Sequence, residues 1–414
     1  MKISTKDKVI LRDAAKQYME AAKSDTMAEI IGAWYAHSRL ERKRPMVLFE
    51  DGPLKSEYIN ELLCEGEFAR SIELDLKRNV WHFYNAKDDH PLMPYYAIKW
   101  QIPFLHFGGI EIKERRASDA YGRQVAHIPE HPIKNLGTDL HLLKPLDFFV
   151  DKAATNKIKD TLNDAFGDIL PTVIRGKNVW TMGLTVELIK LISLEDFYMA
   201  MYDHPKELHQ IMEFLMNEKL RLVKHMEEGD MLTLNNEADY YATGSYGFTE
   251  ELPQKDFTGH VRTQDLSVLL ESQETSTVSP ALYEEFVFPY YMEIAKQYGR
   301  LYYGCCEPVE KIWPLIKKYP NLAAVSISPW CDQEAMADNI GGDYIYSRKP
   351  MPTLVSTEHF DEDAIKKDLE FSVKTAAKCE LELIMKDVHS VNFEYNRIGR
   401  WVELARQAVE KYYG

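Results

Sequence analysis

The stretch Arg300-Leu-Tyr-Tyr-Gly-Cys-Cys-Glu-Pro308 carries the densest chemistry in this sequence of 414 residues. A short apolar, aromatic run enters Gly304, two adjacent cysteines follow, and Glu307-Pro308 opens a helix expected from Val309 to Lys318. Such a strand-to-helix turn is where α/β proteins expose reactive groups. Two thiols beside a carboxylate can bind a soft or borderline metal, and a thiolate can act as a nucleophile. Neighbouring residues on a strand point to opposite faces. Cys305 and Cys306 therefore reach one site together only where the chain has already bent, which Gly304 permits. The competing outcome is a small buried apolar side chain, the usual fate of cysteine.

Further candidates end other expected strands. Glu271 and Glu274 follow Leu266-Ser-Val-Leu-Leu, and His389 stands two residues after Asp387, which ends Leu381-Glu-Leu-Ile-Met-Lys-Asp387. Cys305, Cys306, Glu271 and His389 form the candidate metal set, with zinc the expected ion because it takes thiolate, imidazole and carboxylate ligands. His389 also suits general acid–base work, tuned by Asp387 or Lys386. Asn235-Asn236-Glu237 ends the run Met231-Leu-Thr-Leu, which makes Asn235 a substrate-binding candidate and Glu237 a catalytic one. Arg348-Lys349 is a cationic pair suited to a substrate carboxylate or phosphate, and Arg348 is its catalytic candidate. Tyr246 and Trp330 could wall an aromatic substrate, and Cys331 reads as structural.

The elements that must position these groups follow from pattern. Residues 1 to about 45 are helical and charged, and Pro45-Met-Val-Leu-Phe is the first strand-like run. From there to about residue 175 the text is irregular, with short aromatic strands around Tyr95 and a charged hairpin-like patch from Ile110 to Ile128. From Asn178 strands and helices alternate: Val179-Trp-Thr-Met-Gly as a strand, a capped helix after Ser193, a long helix from Pro205 closed by Gly229, and a helix from Pro280 to Gly299. That alternation implies a parallel sheet with helical crossovers. Without a Gly-x-Gly-x-x-Gly after any strand, a closed (β/α)8 TIM barrel is favoured over a dinucleotide-binding sheet. The expected organisation is an elaborated N-terminal region, 1–175, that contributes the first elements, and a main barrel portion, 176–414. In a barrel the polar strand ends gather into one ring.

Several blocks together resemble the uroporphyrinogen decarboxylase superfamily, most closely its divergent bacterial, methyltransferase-like members. They are LISLEDFYMAMYDHPKELHQIMEFL (191–215), MLTLNNEADY (231–240), ESQETSTVSPALYEEFVFPY (271–290), YYGCCEPVEKIWPLIKKYPNLAAVSISPW (302–330) and ELIMKDVHSV (382–391). The resemblance covers about residues 180 to 412 and implies a TIM barrel. It also implies a corrinoid-linked, zinc-dependent methyltransferase that moves a methyl group between a small substrate, a methyl ether or thiol, and a corrinoid carried by a partner protein. The alternatives are a cofactor-free decarboxylase using Arg348 and Asp387, and a non-catalytic corrinoid- or carrier-binding member. Two departures stand out. The decarboxylases' Arg-Gln-Ala-Gly-Arg motif is not matched by Ser38-Arg-Leu-Glu-Arg-Lys-Arg-Pro45. The methyltransferases' zinc-binding His-x-Cys places a cysteine at Cys305 or Cys306 but Tyr303 or Gly304 at the histidine, with the late ligand near Asp387 and His389.

Composition narrows the partners. A formal charge of −15 opposes nucleic-acid binding and adhesion to anionic membrane. There is no apolar run long enough to span a bilayer. Five cysteines, an odd number in a long chain with no export-signal core, point to a reducing cytoplasm. A small-molecule substrate and a carrier protein are the expected partners, and a homodimer is allowed.

Overall fold

Short apolar runs alternating with helices build a parallel sheet. The structure, a computed structural model, describes residues 2–54, 57–59, 61–103, 106–118, 124–177 and 179–413. In chain order the strands are β1 (Met46–Phe49), β2 (Tyr96–Ile98), β3 (Glu114–Ser118), β4 (Gln124–Pro129), β5 (Thr172–Ile174), β6 (Ser267–Leu270), β7 (Arg300–Tyr303), β8 (Leu322–Ile327), β9 (Ile345–Arg348) and β10 (Glu380–Met385). Six of them pair in parallel in the order β1-β10-β9-β8-β7-β6. β1, β6, β7, β9 and β10 are buried at every residue, which is why they read as continuous apolar runs and not as alternating ones. β2 and β5 form a separate parallel pair, and β3 and β4 an antiparallel hairpin whose connecting residues lie outside the described ones.

The helices begin where capping chemistry places them. Ser193 Oγ accepts from the Asp196 N–H at 3.0 Å and donates to its carboxylate at 2.6 Å. Pro205 opens the helix Pro205–Glu228, whose apolar stripe from Leu208 to Met226 is buried. Two expectations are shortened by proline, which has no N–H and fits only a first turn. The single helix expected from Pro280 is broken at Val287 before Pro289, and that expected from Val309 is reduced to Trp313–Ile316 before Lys317.

The N-terminal region is fastened to the sheet by a buried imidazole. His37, on the helix Asp25–Ser38, stands 2.7 Å from Glu380 and 3.4 Å from Glu382 of β10. Burial alone would lower its pKa, but hydrogen bonds to Glu380 and Glu382, with their charges, outweigh that and carry it up to about 9. On the open edge of β1, the Asp89 and Asp88 carboxylates take the N–H groups of Val47 and Phe49 at 2.7 and 3.0 Å. Side chains thus satisfy an edge that a neighbouring strand would otherwise cover.

The opposite edge is closed by Asn235. Its amide donates to Ser267 O at 2.8 Å and accepts from Ser267 N at 2.9 Å, imitating a paired strand. The strands expected at Val179 and Met231 are therefore extended chain without a ladder, and Asn178 itself lies outside the described residues. Leu269 O instead takes the Met182 N–H at 3.0 Å and Thr181 Oγ1 at 3.2 Å. Asn235 is a structural clasp, both of its amide atoms bonding the Ser267 backbone.

Two outcomes follow. Asn235→Ala leaves both Ser267 backbone groups unpaired in a buried site, and urea denaturation should show a loss of about 2–4 kcal/mol. For His37 the folded-state pKa exceeds the ordinary 6.5, so its stabilisation is complete below about 6.5 and is lost as pH rises through about 9. The midpoint of denaturation should fall across that window, with a shallower fall in His37→Gln.

Candidate active site

Gly304 sets the geometry of the thiol turn. Its φ is +98°, a conformation that L side chains rarely adopt, and a Cβ there would lie 3.2 Å from Ser326 Cβ. The Gly304 N–H still pairs with Leu270 O at 2.8 Å, so the bend comes immediately after the ladder ends. Cys305 is then held at both backbone ends: its N–H donates to Glu307 Oε2 at 2.9 Å, and its carbonyl accepts from Ser326 Oγ at 2.8 Å. The consequence is that both sulfurs face one site, 3.7 Å apart.

Three strands along the sheet, the end of β10 answers this turn. Lys386 is 7 % exposed and its Nζ lies 3.6 Å from Cys305 Sγ. Asp387 takes a left-handed φ of +58°, and its Oδ2 lies 3.8 Å from Cys306 Sγ and 3.5 Å from Lys386 Nζ. The two thiols share a proton unequally. The bond to Cys306 and then burial push Cys305 up, while the bond from Cys305, helped by Lys386, holds Cys306 below the ordinary thiol range. Burial opposes charge on Lys386, yet Cys305, Asp387, Glu50 and Cys306 outweigh it and keep the ammonium protonated.

Three buried carboxyl groups stand behind the thiols. Glu307 takes the Ser272 N–H at 2.8 Å besides that of Cys305. Glu274 accepts from Thr185 Oγ1 at 2.7 Å. Glu271 is fully buried, and its Oε1 has no hydrogen-bond partner among the described residues. Burial raises the pKa of all three, most of all that of Glu271, which the charges of Glu274 and Glu307 push further up. Outside them opens a depression of about 940 Å³ whose wall includes Cys306, Glu274, Gln273, Ser276, Leu194 and Trp330. Trp330 is 65 % exposed, so one of the two expected aromatic walls is present.

Other expected groups lie elsewhere. His389 is exposed, and no hydrogen bond or ion pair ties it to either sulfur: the left-handed turn at Asp387 carries the chain outward before His389. The Glu271 carboxyl is turned to Gly183, where an added Cβ would sit 2.9 Å from its Oε1. Arg348 is 2 % exposed, and its guanidinium donates to Ser328 O at 2.9 Å, Lys349 O at 2.7 Å and Ser372 Oγ at 3.1 Å. It braces the sheet and has no face for a substrate carboxylate. Glu237 pairs with Tyr95 at 2.9 Å and Arg175 at 3.3 Å, beside Asp239. Tyr246 donates to His90 Nδ1 and lines a different cavity. Cys331 is buried, as expected of a structural cysteine. Lys349, the other half of the cationic pair, is buried against the Tyr302 hydroxyl at 2.9 Å, and burial lowers its pKa to about 8.

As a metal site the turn is half built. Two sulfurs on one tetrahedral zinc stand about 3.8 Å apart for bonds of about 2.3 Å, and the observed 3.7 Å fits. Asp387 offers an oxygen donor, its Oδ2 lying 3.8 Å from Cys306 Sγ. Among the described residues, however, no group of three or more His, Cys, Asp and Glu side chains is arranged to hold an ion, and the Lys386 ammonium stands on Cys305.

The proton sharing has a direct readout. Cys306 is the one cysteine of the five that is not buried. Iodoacetamide should modify a single thiol quickly at neutral pH, a reaction lost in Cys306→Ser. In Lys386→Met the midpoint of its pH–rate curve should move upward, because the cation that lowers the Cys306 pKa is gone.

No protein-family model and no curated protein matches the sequence. Among solved structures, a methyltransferase from Methanosarcina mazei is similar over 96% of this chain and 98% of its own, with a TM-score of 0.50 and 11% sequence identity. No helix among the described residues is long and apolar enough to cross a membrane. At that identity the likeness is one of fold: a mixed α/β chain with a six-stranded parallel sheet.

Proposed function

We propose that this chain is a methyltransferase that works at the Cys305-Cys306 turn, with zinc held there and a corrinoid, carried by a partner protein, as the other party to the transfer. The observation that carries the reading is the convergence of two sulfurs, one ammonium and one carboxylate from the ends of β7 and β10 beside an open depression. The full-length likeness to a methyltransferase supports it at the level of fold. The (β/α)8 barrel belongs to the same proposal. It is supported by β1 lying beside β10, first strand next to last, which a closed ring requires and a doubly wound sheet does not.

Cys305 and Cys306 would hold the zinc and Asp387 is the side chain nearest to completing the set. When bound, the ion supplies Lewis acidity that makes a thiol acceptor a thiolate or polarises an ether oxygen. The remaining residues have their own tasks. Lys386 keeps negative charge on the sulfurs tolerable in a buried site. Glu274, in the wall of the depression with its pKa raised by burial, would give a proton to a leaving oxygen and take it back. Trp330 and Leu194 offer an apolar wall to the body of a substrate. The decarboxylase reading loses its cation, because Arg348 is consumed within the sheet.

Metal analysis of the purified, zinc-loaded protein should find about one zinc per chain, lost in Cys305→Ala and in Cys306→Ala. It should be retained in His389→Ala and Glu271→Gln. Zinc that survives both cysteine substitutions would overturn the assignment.

A further inference from the structure

A further cavity, of about 620 Å³, opens along the outer edge of β6, and nothing above uses it. It shares no wall residue with the depression beside Cys306. Its origin lies in how that edge is closed. The side chain of Asn235 holds the edge at Ser267, and the Met182 N–H holds it at Leu269, with no ladder between the two points. The flanking chains Val179–Met182 and Met231–Asn235 therefore lie against β6 without pairing to it along their length. They are tied to each other at the cavity's end, where the Gly176 N–H donates to Thr233 Oγ1 at 3.1 Å. The gap left between these chains, β6 and the helix Pro205–Glu228 is the cavity.

Its interior is apolar. Met182, Val223, Met226, Met231, Val268 and Tyr298 line it, and all six are buried. Three methionines make a wall that can adapt its shape to an apolar guest. One polar side chain interrupts that wall. Ser267 is 5 % exposed, and its Oγ has no hydrogen-bond partner among the described residues. A buried hydroxyl is costly to leave unpaired, so one facing a cavity marks a bond that an occupant would supply.

The rim is cationic, in a chain whose formal charge is −15. Lys177 lines the cavity, and its Nζ donates to Trp180 O and, at 2.6 Å, to Tyr241 O. Both acceptors are neutral. Burial, with the charge of Lys99 beside it, pushes the Lys177 pKa well below its ordinary value, and no carboxylate among the described residues offsets this. Arg175, two residues earlier, shows the contrast: Asp239 and Glu237 take it up at 2.7 and 3.3 Å. Lys99 is exposed and packs its stem at the same turn, its Cε 3.5 Å from where a Cβ on Gly176 would lie. Two amino groups without an acid, above an apolar hollow, fit the two ends of an amphiphilic anion. A bound carboxylate gives Lys177 the counter-charge that the fold withholds, and the volume is of the order usual for small-molecule sites.

We infer that this cavity binds a small carboxylate with an apolar body, its acid group against Lys177 and Lys99 and its body among the methionines, where Ser267 Oγ can bond a hydroxyl or carbonyl. The site stands apart from the thiol turn and does not depend on the methyl-transfer reading.

The test is calorimetric titration of the full-length protein with octanoate, octanol and octylamine, which share one chain length and differ in charge. Octanoate should bind at least about tenfold more tightly than octanol, and octylamine should bind most weakly. Lys177→Met should cut octanoate affinity about tenfold and leave octanol unchanged. Ser267→Leu, which fills the cavity, should abolish the binding of both. Should either variant fail to fold, the order of the three ligands on the unaltered protein still decides. The inference is overturned by equal affinity for octanoate and octanol, by no octanoate binding at millimolar concentration, or by octanoate binding undiminished in Lys177→Met. Zinc content judges the thiol site separately, and neither result bears on the other.

Discussion

One buried ammonium holds the candidate site together. Lys386 reaches from the end of β10 to Cys305 at 3.6 Å and to Asp387 at 3.5 Å, in a region where three carboxyl groups are also buried. A thiolate set among buried acids would be costly, and each neighbour would compete to keep its proton. The cation helps to lower the pKa of Cys306, while burial raises those of Glu271, Glu274 and Glu307. Removing Lys386 would therefore raise the pKa of both thiols and take away the contacts to Cys305 and Asp387. Buried charges of this kind are costly to stability when a partner is lost, which is why such an arrangement points to chemistry more than to folding.

Backbone strain aims these groups. Gly304 at φ +98° turns two consecutive cysteines to one side, and Asp387 at φ +58° turns its carboxylate back toward them. Left-handed aspartate is uncommon and carries a cost of about 1 kcal/mol or more, which persists where the surroundings fix it. The same device recurs at Gly244, at φ +90°, where the close approach to Ile384 sets Tyr240 beside Glu50. At all three places the sheet supplies rigidity, and the first residues beyond it supply direction.

This division explains what the sequence could and could not tell. The strands around Met46, Leu322, Ile345 and Leu381 were legible because burial on both faces writes them as apolar runs, and Ser193, Pro205 and Ser279 marked helix starts by their own chemistry. The thiol turn was legible because Gly304 precedes two cysteines. Where each side chain goes after a strand ends was not. His389 has the right type and place but follows a left-handed residue that sends it to solvent. Asn235 and Arg348 also end strand-like runs, but a polar group there can equally serve the sheet, as a clasp in one case and as a brace in the other. Glu50 was overlooked although it directly follows the first strand. Its hydrogen-bond partner, Tyr240, comes from a distant part of the chain, and only the fold brings it near.

The central claim is that the vicinal thiols form one ligand pair. X-ray absorption at the zinc edge of the zinc-loaded protein tests it most directly. A shell of two sulfur scatterers at about 2.3 Å, completed by lighter atoms, is the expected result. A shell made only of nitrogen and oxygen at about 2.0–2.1 Å would contradict it, because the ion would then be bound away from Cys305 and Cys306.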